Sequence, residues 1–126
     1  MKVEISDGEL LDKLSILRIK SKMIKDQIKL DNIKREIETL VPLCTNLLCS
    51  LEISELFDQL VLINTKLWDI EDILRVKERN KEFDEEFIKY ARRVYYTNDE
   101  RAEAKKRINK ISGSYLVEEK SYESYK

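Results

Sequence analysis

The sequence predicts an all-α protein: an antiparallel helical bundle of four to five helices, long ones, followed by an extended C-terminal tail. Three observations carry that expectation. Apolar residues recur every third or fourth position, most regularly at Ile53, Leu56, Leu60, Ile63, Leu67, Ile70 and Leu74. Charged residues make up 39% of the 126, yet the formal net charge is only -1. That share is well above the usual value of about 25% and suits solvated helices laced with mixed ion pairs. Two glycines and one proline leave few turn makers, where a many-stranded fold needs a supply of them. The length is that of one domain. The division expected is a helical bundle over residues 1–113 and a tail over 114–126.

The elements follow in order. Ser6 with Glu9 three residues on forms a capping box, and Ile5 stands in the staple position before it. Leu10, Leu14, Leu17, Ile24 and Ile28 then mark a helix face, widened by Leu11, Ile16, Ile19 and Met23. A stripe that wide suits a helix touching two neighbours. A turn is expected near Lys29 to Asp31, with Asp31 as N-cap. The second helix carries Ile33, Ile37, Leu40, Val41, Cys44, Leu47 and Leu48, and Pro42 is expected to kink or interrupt it. The third runs from about Ile53 to Arg79 and would be ~40 Å long at 1.5 Å per residue. Asp84 caps a fourth, with Phe87, Tyr90, Ala91 and Val94 on one face. Thr97 and Glu100 form a second capping box, where a bend into a fifth helix is expected. Gly113 provides the stop. The tail is expected to dock through Tyr115, Leu116 and Val117.

Composition removes several functions. No apolar run approaches the ~18 to 20 residues of a membrane span. The acidic start, "MKVEISDGE", is unlike a signal peptide, so a soluble, cytoplasmic protein is expected. Near-neutral charge gives no electrostatic case for nucleic acid or an anionic membrane, so neither is expected as a partner. With no histidine, imidazole acid–base catalysis and Ser-His-Asp or Cys-His nucleophilic systems are absent. Cys44 and Cys49 are the only cysteines and point roughly 140° apart on a helix. They are expected to be small buried apolar groups, and neither a metal nor another cofactor is expected.

Three constellations remain. In "LWDIEDILR", Asn64, Trp68, Glu71 and Arg75 are spaced four, three and four, beside the apolar seam. The plainer reading is a rim, with Trp68 at the core edge and Glu71 paired with Arg75. The functional reading is a polar groove with an aromatic wall, its opposite side lined by Glu9, Lys13 and Lys20. In "YARRVYYTNDERAEAKKR", Arg92, Arg93, Arg101 and Arg107 surround the expected helix start at Thr97 and Asn98. That is an anion site by type, although Asp99, Glu100 and Glu103 can neutralise the same bases. Finally, Glu55 and Asp58 have the E-x-x-D spacing with which all-α nucleotide pyrophosphohydrolases hold magnesium. The upstream "REIETL" lacks the further acids such a site requires.

The blocks "ISDGELLDKLSILRIK", "LWDIEDILR", "FIKYARRVYYTNDERAEAKKRIN" and "GSYLVEEKSY" resemble a family of small, uncharacterised α-helical proteins of bacteria and phages. The resemblance spans nearly the whole chain and implies a helical fold without an activity. It directs attention to residues in those blocks that the seam does not need: Glu9, Asp12, Lys13, Trp68, Glu71, Arg75, Arg92, Asn98, Asp99, Arg101 and Asn109. The sequence therefore leads to a non-catalytic interaction or accessory protein, expected to form a homo-oligomer (a dimer) and open to a protein partner. A metal-dependent nucleotide hydrolase using Glu55 and Asp58, and a small-anion or sugar-phosphate binding module using Arg75, Arg92 and Arg101, are the alternatives.

Overall fold

In the computed structural model, which describes all residues from Met1 to Lys126, each helix begins where a short polar side chain replaces a missing backbone partner. Ser6 Oγ accepts from Glu9 N–H and opens α1, Asp7–Met23. Asp26 accepts from Lys29 N–H and opens α2, Gln27–Leu48. Ser50 opens α3, Leu51–Arg79, and Asp84 opens α4, Glu85–Ser112, by accepting from Phe87 N–H at 2.8 Å. There are four helices and no strand.

Three boundaries differ from expectation. The first turn comes earlier, at Ile24–Asp26, because Asp26 takes the capping role; Asp31 lies inside α2, accepting from the Gln27 amide at 2.8 Å. Pro42 does not interrupt α2, which stays helical on both sides of it. The missing donor and ring clash are tolerated on an exposed face. Nor does the chain bend at Thr97. That residue is buried in mid-α4, so the second capping box does not form and no fifth helix exists. The apolar phase runs unbroken through that point to Ala104 and Ile108, and packing on α3 and α1 overrides a local capping pattern.

The core gathers Leu11 and Leu14 of α1, Cys44 of α2, Ile53, Leu56, Phe57, Leu60 and Ile63 of α3, and Ala104 and Ile108 of α4. α3 packs along α4, and α1 touches all three other helices. α2 buries only Ile33 and Cys44 and leans on α1 and α3. Burial pushes the Cys44 thiol up from its ordinary value. Cys49, expected buried, is exposed at the end of α2.

Two devices fix the ends of α4. At its start, Lys77 of α3 is buried, 3.1 Å from Asp84 and 3.6 Å from Glu82. The Asp84 hydrogen bond raises the Lys77 pKa; the Phe87 N–H and then Lys77 lower that of Asp84. At its other end Gly113 adopts the left-handed conformation, φ 69°. A β-carbon is disfavoured in that conformation, hence the glycine stop. Residues 114–126 carry no helix or strand. Tyr115 and Val117 are exposed there, and the tail is held elsewhere than expected. Ser114 Oγ accepts from Asp7 N–H at 3.1 Å, and Glu118 accepts from Ser6 Oγ at 3.1 Å. No helix is long and apolar enough to cross a membrane.

Candidate functional site

Asp12 sits on the inner face of α1, fully buried, where an unpaired carboxylate would be very costly. Three side chains answer it. Asn64 Nδ2 of α3 donates to Asp12 Oδ1 at 2.9 Å and to Ser15 Oγ at 2.7 Å. Arg101 of α4 makes a two-pronged pair, with Nε on Oδ1 at 2.9 Å and Nη2 on Oδ2. Lys105 stands 3.9 Å away and bonds Glu9 at 2.5 Å. The Asp12 hydrogen bond pushes the Arg101 guanidinium further up from its ordinary value. The cluster ties α1, α3 and α4 together at one level, and no side-chain polar atom closed off from solvent lacks a hydrogen-bond partner.

Directly outside the cluster lies a groove of about 470 Å³. Ile16 and Ile19 of α1 form one wall; Asn64, Leu67, Trp68, Glu71, Asp72 and Arg75 of α3 another; Asn98 and Arg101 of α4 complete it. The α3 stripe of the sequence is therefore one side of a real concavity. Helical spacing puts Asn64, Trp68, Glu71 and Arg75 there together. Glu71 and Arg75 approach to 3.6 Å with both side chains largely exposed, so the pair adds only a few tenths of a kcal/mol. Asn64 uses both amide protons inward, and its carbonyl oxygen has no protein partner.

The other candidates scatter. Glu9 pairs with Lys105 and does not line this groove, and Lys13 is exposed and does not line it either. The opposite wall expected from Glu9, Lys13 and Lys20 is instead apolar, made by Ile16 and Ile19. Arg92 donates to Tyr96 Oη at 3.2 Å, away from the groove. Because Thr97 and Asn98 lie inside α4, they offer no free helix N-terminus, and that anion site has no geometric basis. Glu55 and Asp58 are exposed, and no three acidic or thiol side chains gather to hold a metal ion.

A second groove, about 1020 Å³, runs between α4 and the tail. It shares Asn98 and Arg101 with the first and adds Glu9, Asp99, Lys105 and tail residues from Glu118 onward. The Tyr125 ring lies 5.2 Å from Tyr95 and 4.9 Å from Tyr96, and its hydroxyl donates to Asp99. That hydrogen bond pushes the Tyr125 phenol up to about 12. A pKa raised on docking favours the protonated form. Tail docking is thus fully present below the free phenol's value near 10 and is lost as pH climbs through about 12. An absorbance titration of the phenolates should show one late-ionising tyrosine, missing in Tyr125→Phe; identical curves for the two proteins would show that Tyr125 is not docked.

Sequence reasoning missed Ser15, Lys105 and Gly8, and it singled out Asp12 and Asn109 only through the resemblance. An aspartate and a serine on the apolar face of α1, one turn apart, were the available signal. Against known proteins, a family model described as "Family of unknown function (DUF6165)" matches residues 1–125. No curated protein and no solved structure matches.

Proposed function

We propose, for a chain that belongs to the DUF6165 family of unknown function, a non-catalytic binding role centred on the Trp68 groove. One observation carries this reading. Three helices bring an aromatic wall, two amides and two guanidiniums to one concavity, and a buried carboxylate holds Arg101 in place. Such a floor is organised before any ligand arrives, which lowers the ordering cost of binding. Catalysis has less support. Neither a nucleophile–base pair nor a cluster of metal-holding acids lines the groove, and Glu55 and Asp58 stand apart from it. Trp68 is the single tryptophan, so its emission reports on the groove alone. A metabolite library screened by thermal shift should yield compounds that raise Tm and shift Trp68 emission. Trp68→Ala should cancel the thermal shift while leaving the helical content unchanged. Stabilisation that survives in Trp68→Ala would move the site elsewhere.

A homo-oligomer remains part of this reading. Leu43 and Leu51, 62% and 75% exposed, are large apolar side chains around the α2–α3 junction, and Leu62, 65% exposed, lies further along α3. Light scattering should give a dimer mass that falls to the monomer in Leu43→Glu/Leu51→Glu. A monomer at every concentration removes the self-association.

A further inference from the structure

We infer that the Trp68 groove takes a neutral polyhydroxylated ring, a sugar free or at the end of a glycan, rather than an anion. This deepens the binding role proposed above and rests on it. The argument is one of charge and of donors and acceptors. Of the two guanidiniums in the groove, Arg101 is already neutralised by the buried Asp12, and Arg75 lies beside Glu71 at 3.6 Å. Asp72 adds a further acceptor, so no uncompensated positive charge is left for a phosphate or carboxylate. An anion would also meet acceptors it cannot use: the Asn64 carbonyl at the floor and the Glu71 and Asp72 carboxylates at the rim.

Asn64 is only 5% exposed, and its orientation is fixed because both amide protons are spent on Asp12 and Ser15. Its carbonyl oxygen is an unpartnered acceptor on a side chain that lines the groove. Beside it, Arg101 uses Nε and Nη2 on Asp12, which leaves Nη1 as a donor. The floor therefore offers an acceptor and a donor from groups bonded to the same carboxylate oxygen, and the rim repeats the pattern in Glu71 and Arg75. A hydroxyl is the neutral group that donates and accepts at once. Several hydroxyls around a ring, with the ring's C–H face on Trp68, satisfy both levels. The volume of about 470 Å³ falls within the roughly 300–1,000 Å³ usual for small-molecule sites.

The test titrates the intact protein with free hexoses, pentoses and short oligosaccharides in one arm. Inorganic phosphate, sugar phosphates and nucleotides form the other, with Trp68 emission and calorimetry as readouts. At least one sugar or oligosaccharide should saturate. Its Kd should change less than about twofold between about 0.05 and 0.5 M salt, as expected for a neutral ligand. Trp68→Ala should weaken binding about tenfold or more by calorimetry. Arg75→Ala, on the exposed rim, should weaken it without disturbing the fold. Saturation by phosphates or nucleotides alone, with steep salt dependence, overturns the sugar assignment and leaves the binding role standing. Silence of Trp68 to both arms also overturns it, and the wider library then decides the binding role separately.

Discussion

Asp12→Ala should lower the stability of the protein by about 3–5 kcal/mol, the range found when one partner of a buried ion pair is removed. The carboxylate is fully buried and receives Asn64, both prongs of Arg101 and the longer approach of Lys105. Alanine leaves the Arg101 side chain, 29% exposed, without its counter-charge, and leaves an Asn64 amide proton without an acceptor. Against a typical total of roughly 5–15 kcal/mol the loss is large. Urea unfolding followed by circular dichroism should show the midpoint falling with the slope unchanged. Glu71→Ala, which breaks only an exposed pair, serves as the control and should cost under about 1 kcal/mol. Arg101→Ala should cost as much as Asp12→Ala, and the double variant much less than the sum, because each single change strands the other residue. Equal, small effects for Asp12→Ala and Glu71→Ala would mean the buried cluster does not hold the three helices.

Gly8→Ala should destabilise the protein by about 2–3 kcal/mol, a sign opposite to the helix-propensity expectation. Gly8 lies in the first turn of α1, where alanine is ordinarily the better residue. Here a β-carbon would stand 2.5 Å from the Lys105 carbonyl oxygen and 3.0 Å from Asn109 Oδ1. The nearer atom is backbone, so no rotamer change relieves it, and α1 must move off α4. That movement breaks the bond from Gly8 N–H to Asn109 Oδ1, 2.6 Å, and loosens Glu9 from Lys105. Hydrogen exchange at the start of α1 should quicken far more than at α2. Unchanged or improved stability in Gly8→Ala would show that the two helices do not approach this closely.

The site was legible only in part. The spacing of Asn64, Trp68, Glu71 and Arg75 along α3 could be read directly, because residues three and four apart share a helix face whatever packs against it. Their companions could not. Asp12 looked like one more charge in a charge-rich helix, and Arg101 like part of a helix-start cluster that does not exist. Thr97 and Glu100 carried a capping pattern that continuous packing of α4 overrode. Asp26 and Asp31 are a similar case: by residue type either aspartate could cap α2, and the earlier one does.

By itself, then, the sequence determined the helical class, the α3 seam, the caps at Ser6 and Asp84 and the stop at Gly113. Each of these depends on a periodicity or on a side chain reaching its own neighbouring backbone. Which helix meets which, that Asp12 would find Arg101 89 residues away, and that the Trp68 stripe would face a groove rather than open water were decided by the tertiary structure. A charge's role depends on the partner brought beside it and on the water removed from around it. Both are fixed only when α1, α3 and α4 close on one another.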